Sequence, residues 1–257
     1  MSPSRSPLTL AVLGLLATLG VALLIGLGVW QVERRSWKLD LIGRVEQRVH
    51  AEPVAAPAPD AWPSVTAARD EYRRVRVRGT FLHERETLVQ AVTERGGGFW
   101  VVTPLRADNG SVVLVNRGFV PTDHRDPADR APGQVAGEAT VVGLVRMTEP
   151  EGGFLRANDP EEDRWYSRDV AAIASARGLS DVAPYFIDAD GTANPGGLPV
   201  GGLTVIAFRN THLVYALTWF TLASMLAGAG LYLGREEWRS RRRPAETGRR
   251  RPAPDPA

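Results

Sequence analysis

Residues 8–30 read LTLAVLGLLATLGVALLIGLGVW, and this stretch decides the architecture. Its 23 positions carry no charge. As a helix they extend roughly 34 Å, enough to cross the hydrocarbon layer of a bilayer. A cleaved signal peptide has a shorter apolar core and a small-residue cleavage site, whereas here the charged Glu33-Arg34-Arg35 follows directly. The stretch therefore reads as a retained anchor. A second apolar run, 213–233, gives a helix of about 31 Å by the same rise. The chain divides into a cytoplasmic N-terminus (1–7), a first transmembrane helix (8–30) and an extracytoplasmic domain (31–211). A second transmembrane helix (212–233) and a basic cytoplasmic tail (234–257), read as disordered, complete it. Trp30, Tyr215, Trp219 and Tyr232 lie near the ends of the spans, where aromatic side chains favour the interface.

Orientation follows from the flanking cations. Arg235, Arg239, Arg241, Arg242, Arg243, Arg249, Arg250 and Arg251 follow the second span, which assigns the tail to the cytoplasm and 31–211 to the outer side. Arg34, Arg35 and Lys38 go against this bias, since they fall just outside the first span. Cations kept on the disfavoured side point to a task there. The net charge of only +2 hides this layout, because basic residues gather at the membrane edges. Such placement predicts contact with membrane lipid and argues against nucleic acid as a partner. The chain has no cysteine and 3 methionines, which excludes disulfides and thiolate ligation and leaves too few soft ligands for a copper carrier.

Between the spans, 32–49 keeps helical periodicity with Trp37, Leu41 and Val45 on one face. The Pro- and Ala-rich 52–63 then reads as an extended linker. Strand-like runs follow at 74–78, 86–92, 99–106, 112–120 and 139–147, with a short helix at 169–177 and late strands at 185–188 and 203–208. Asp108-Asn109-Gly110 between two of these runs is a hairpin signal, because Asn-Gly readily takes positive φ. The predicted fold is a membrane protein with two terminal transmembrane α-helices flanking a β-rich α+β domain or small barrel. Small-residue pairs (Ala22/Gly26, Ser224/Gly228 and Gly230/Gly234) offer surfaces for close approach of the two helices.

Residues 209–220 read RNTHLVYALTWF and carry the chemistry of the second span. His212, Tyr215, Ala216, Trp219 and Phe220 fall at i, i+3, i+4, i+7 and i+8, on one helix face. A neutral imidazole at the membrane edge is a metal ligand or a buried hydrogen-bonding group. A flat aromatic surface with one small residue fits a planar cofactor, and it fits plain packing against a partner helix equally well. Trp30, Arg34 and Trp37 share a face of the first helix at i, i+4 and i+7, and with Gln31 they form the facing half of the pocket in the cofactor reading. Elsewhere the signals favour structure. Asn116-Arg117-Gly118 reads as a bulge or turn, and Asp123, His124, Asp126 and Asp129 lack metal-ligand spacing. His50 and His83 stand alone as surface residues. Gly96-Gly97-Gly98 lacks the context of a phosphate loop, and there is no nucleophile elbow or zinc-protease histidine pair. An enzyme is the least supported class.

Several blocks together resemble the surfeit-locus-1 (Surf1/Shy1) family of cytochrome c oxidase assembly proteins. They are Leu27-Gly-Val-Trp-Gln31 with Arg34, Trp37 and Lys38, then 72–81, then Gly98-Phe-Trp-Val-Val-Thr-Pro104. Val115-Asn-Arg-Gly-Phe-Val-Pro121, Trp165-Tyr166 and His212-Leu-Val-Tyr-Ala-Leu-Thr-Trp-Phe220 complete the order. With no Arg/Ser-rich transit segment ahead of the first span, the resemblance is to a bacterial member in the inner membrane. It implies an assembly factor that binds haem a at the outer membrane edge and aids its insertion into oxidase subunit I. Haem a synthase is a candidate second partner. His212 matches the family's proposed haem-iron ligand, although Asn210-Thr211-His212 departs from the usual Asn-Asn-His or Asn-Glu-His at its middle position. Tyr215 and Trp219 then become wall residues, Trp30 a facing wall, and Arg34, Arg35, Lys38 and Arg209 partners of the propionates. The alternative is a cofactor-free membrane scaffold that stabilises nascent subunit I.

Overall fold

The computed structural model describes residues 6–150, 152, 153, 155–206 and 210–242. Helix α1, Pro7–His50, is one unbroken element of 44 residues. Ser6 caps it, its hydroxyl accepting the Thr9 N–H at 3.1 Å, and Pro7 follows at the first helical position, where its missing N–H costs nothing. Nothing in the sequence breaks the helix before Pro53, so the apolar run and the amphipathic stretch behind it are continuous. The second long helix, α4 (His212–Arg242), extends beyond the expected span. The tail expected to be disordered from residue 234 is helical as far as Arg242. Glu237 pairs with Arg241 at 3.1 Å one turn on, and the Arg242 guanidinium lies 3.8 Å from the Trp238 ring centroid, so local side-chain pairs prolong the helix. Both helices are long and apolar enough to cross a membrane.

The chain forms two units, Met1–Leu41 with Phe208–Ala257, and Ile42–Ala207. In the first unit, α1 turns its Val21, Leu24, Gly28 and Gln31 inward, at alternating spacings of three and four residues. The facing surface of α4 is built from Ala216, Phe220, Ala223 and Leu226. The Phe220 ring lies over Gly28 so closely that a Cβ there would overlap it. This is packing by shape complementarity between small and large residues, the main attraction between helices in lipid. The pairs expected from sequence contribute little to this seam. A Cβ added at Gly26, Gly228 or Gly234 would meet nothing within 4 Å, and only Gly230 approaches α1, with the Ala17 Cβ at 4.0 Å.

The second unit begins with the end of α1. Arg48 donates to the Ala68 carbonyl at 2.8 Å and the Glu71 carbonyl at 3.3 Å, tying that end to the short helix α2, Ala67–Asp70. The segment expected to be a linker is instead packed down. Its Val54–Ala55 forms β1, and Trp62 packs on the core while donating to the Pro57 carbonyl at 3.0 Å. Tyr185 donates to the same carbonyl at 2.8 Å. Apolar residues among the prolines account for this docking, which Pro content alone does not predict.

The remaining strands are β2 (Arg74–Phe81), β3 (Thr87–Thr93), β4 (Gly96–Ala107), β5 (Val112–Pro121), β6 (Glu138–Met147) and β7 (Val182–Ala189). Sheet order is β1-β2-β6-β7-β5-β4-β3, and β2 also pairs with β4, so β2, β6, β7, β5 and β4 close into a small barrel. Gly79 permits that closure, since a Cβ there would run into the Arg106 carbonyl across the β2–β4 junction. The β4–β5 hairpin turns where Asn109-Gly110 predicts, with Gly110 at φ 84°. Strand β5 shows period-2 alternation. Val113 and Val115 point into the barrel core with Val75, Leu105 and Ile187, while Leu114 joins Trp165, Phe186 and Ile173 beneath α3, Val170–Ala176. The strand expected at 203–208 does not form over 203–206, and 208 lies outside the described residues. Its β-branched residues have the propensity for a strand, but the barrel closes through the β2–β4 pairing without them.

Candidate functional site

His212 opens α4, and its imidazole is half-buried against α1. Its Nδ1 lies 2.8 Å from the Oε1 of Gln31, which is itself buried although it follows directly on the apolar run. A side-chain amide oxygen can only accept, so in the neutral ring this contact takes the proton on Nδ1. Nε2 is then left with a lone pair. Second-shell partners of metal-bound histidines act in this way, orienting the ring and fixing the tautomer that ligates.

The other expected site residues are spread around this pair. Ala216, one turn beyond His212, is buried in the seam, and Trp219 is half-buried. Phe220 is committed to Gly28. Tyr215 is 53% exposed, on a face turned away from the seam, and Trp30 is 54% exposed beside the buried Gln31. Arg34 is exposed and stacks 4.4 Å from the Trp37 ring centroid, so those two form a pair of their own on the Trp30 face. Arg35 and Lys38 are half-buried. Arg209 lies outside the described residues. The structure brings His212 and Gln31 together, while Trp30, Arg34 and Tyr215 occupy the outward faces of the same helices.

Other motifs resolve into structure. Asn116 donates to Asp188 at 2.8 Å, and Gly118 takes a φ of 131°. Arg117, 2% exposed, points into the end of the barrel with its guanidinium 4.8 Å from the Phe81 ring centroid, and hydrogen-bonds to Gly133 and Asn194. Burial, which the Glu86 carboxylate only partly opposes and the Arg130 charge reinforces, brings Arg117 down to about 10. Asp126 caps the turn at Ala128, and His83 bonds to the Val135 carbonyl at 3.0 Å. Among the described residues no group of three or more His, Cys, Asp or Glu is placed to hold a metal ion.

Sequence reasoning missed a buried network centred on Asp188, which is 3% exposed. Its carboxylate accepts from Asn116, Arg146 (2.9 Å), Arg168 (3.0 Å) and Thr204 (3.0 Å). Arg168 also donates to Glu149, and Arg146 to Glu71. Burial opposes ionisation of Glu149, but the hydrogen bonds and charge of Arg168, aided by Arg146, outweigh it and hold the carboxyl below the usual range. Asp188, Asn116, Arg146, Arg168 and Thr204 line a cavity of about 210 Å³. The one signal for it in the sequence is an aspartate ending an apolar strand, a polar residue where burial demands a partner.

Known proteins align along most of the chain. The profile of the SURF1 family matches residues 18–224. Surfeit locus protein 1 of Rattus norvegicus is 43% identical over 215 residues, covering 77% of this chain and 68% of the rat protein. The Homo sapiens protein of that name is 43% identical over 216 residues, 77% of this chain and 70% of its own length. A SURF1-like protein of Monosiga brevicollis is 41% identical over 224 residues, with 82% and 83% covered. His212, Gln31 and the barrel strands all lie inside these matched segments, and the chain belongs to the SURF1 family.

Proposed function

We propose that the protein is an assembly factor for haem–copper cytochrome c oxidase that holds haem a at the outer membrane edge and aids its insertion into subunit I. The contact between His212 and Gln31 carries this reading. In the neutral ring it leaves the Nε2 lone pair without a hydrogen-bond partner among the described residues, on a side chain that is only half-buried, which suits an imidazole that ligates iron. The residues present fit the group in their chemistry. His212 would supply a nitrogen ligand, Trp30 and Tyr215 exposed aromatic surface, and Arg34 a cation for a propionate. Bound haem a would supply the iron and the planar macrocycle that the recipient needs. The protein's part is to bind, orient and release, with no bond chemistry of its own.

The arginines following α4 support a domain on the outer side of the membrane. The relatives reported above are eukaryotic, so a bacterial inner membrane as the setting is part of the proposal. The cofactor-free scaffold has one observation in its favour. Phe220 and Ala216, two of the five residues on the predicted cofactor face, are consumed by packing against α1.

The two readings separate on purification after co-production with haem a synthase. A Soret band on the wild-type protein that is lost in His212→Ala supports ligation, and a band of undiminished intensity in the variant refutes it. Colourless wild-type protein that still co-purifies with subunit I favours the scaffold.

A further inference from the structure

The barrel domain has two cavities lined by paired arginines, and their charge balance differs. In the first, Arg146 and Arg168 face the Asp188 carboxylate and are flanked by Glu149 and Glu71, so each guanidinium is already matched. The second, of about 270 Å³, is lined by Arg85, Arg106, Gly110, Gly178, Leu179 and Ser180 among others, with no carboxylate in its lining.

Arg85 is held in place there. Its NH1 donates to the carbonyls of Arg177 (3.4 Å) and Gly178 (3.0 Å), where the chain leaves α3, which leaves its other N–H groups in a fixed orientation. Its nearest acid is Glu84, 3.9 Å away, exposed and outside the lining. The Arg106 guanidinium and the Ser180 hydroxyl form no hydrogen bond or ion pair among the described residues. Two guanidiniums and a hydroxyl thus line one concave space that has no carboxylate among its lining residues. Guanidinium presents paired N–H groups that fit the oxygens of phosphate, and a charge-assisted bond of this kind is the strong class. The volume equals about nine waters at their share of the liquid, enough for a phosphate group and its bridging waters.

We propose that this cavity binds a phosphate-type oxyanion, with Arg85 as the fixed arm of the clamp, Arg106 as the arm that closes on the ligand and Ser180 as an added hydroxyl donor. The site is distinct from His212 and does not depend on the haem reading. Its ligand is either a soluble phosphate or the headgroup phosphate of an anionic lipid.

The test is isothermal titration of the full chain in neutral detergent at low ionic strength. One arm uses inorganic phosphate and the other glycerophosphoglycerol, the soluble headgroup of phosphatidylglycerol. Saturable heat that weakens roughly tenfold or more in Arg106→Gln, and not in the control Arg78→Gln, is the expected result. Tighter binding of inorganic phosphate identifies a soluble ligand, and tighter binding of the headgroup identifies lipid. The absence of saturable heat in both arms, or equal affinity in Arg106→Gln, overturns the site. Arg106 is exposed and unpaired, so its exchange leaves the fold intact, and melting curves check this.

Discussion

The helix pair and the barrel each bury polar groups, and they treat them differently. In the barrel, Asp188 accepts from Asn116, Arg146, Arg168 and Thr204, which uses both oxygens twice. Nothing remains for a ligand, and the network's worth is structural: it ties β5, β6 and β7 to the segment after β7. In the helix pair, His212 has one nitrogen engaged by Gln31 and one without a hydrogen-bond partner among the described residues. A buried polar group with every valence met belongs to the fold, because its cost of burial is offset within the fold. One that keeps a spare lone pair at a half-exposed position is a site in waiting.

The first way to break this contrast is Asp188→Ala. Two part-buried guanidiniums would lose their shared counter-charge, and removing one member of a buried charge network costs roughly 3–5 kcal/mol. Urea or thermal unfolding should register a drop of about 10 °C in Tm for a unit of this size. A loss under 1 kcal/mol would show that the saturation of Asp188 is incidental. A milder perturbation of the same network is acid. The Glu149 carboxyl is held below its ordinary range in the fold, so in the window between its folded and unfolded values the unfolded chain binds more protons. Its contribution is therefore complete above the ordinary carboxylate range and declines as pH falls through the depressed folded value. Unfolding followed from pH 7 to 3 should show this decline in the wild type and a shallower one in Glu149→Gln. Parallel curves would remove Glu149 from the network.

The elements legible in the sequence are those written locally. An uncharged run longer than a bilayer is thick, and an Asn-Gly turn between alternating strands, need no knowledge of distant residues. Barrel closure does, since it depends on Gly79 meeting Arg106, and neither residue announces the other. The strand expected at 203–208 had the right propensity over its described residues 203–206, but the barrel closes without it. Asp188 looked like a strand end because its four partners come from four separate segments. The helix seam was partly legible. The spacing of Val21, Leu24, Gly28 and Gln31 marks a continuous face, whereas of the small-residue pairs Gly26, Gly228 and Gly234 meet nothing and only Gly230 approaches α1. His212 stood out because a histidine at a membrane edge is rare, and its partner Gln31 did not, because glutamine beside an apolar run resembles an ordinary flank.

Gln31→Leu tests the other half of the contrast, and its effect on stability is the smallest expected here. Interhelical hydrogen bonds in membranes contribute about 0.6 kcal/mol on average, so loss of this one should barely shift the melting of the helix pair. Leucine preserves the bulk, and Gly28 beneath Phe220 keeps the helices in register. The effect should appear in the chemistry of His212. Without an acceptor at Nδ1 the imidazole samples both tautomers and more ring orientations, and mutation of such second-shell partners typically weakens ligation by about 10–100-fold. The measurement is the affinity of the purified variant for added haem, read from its Soret titration beside the wild type and Gln31→Glu, where a carboxylate restores the acceptor. Weak binding by Gln31→Leu with recovery in Gln31→Glu would tie the seam contact to the ligand. Equal binding by all three would reduce the contact to helix packing, and His212 would then have to ligate without the partner that the fold provides.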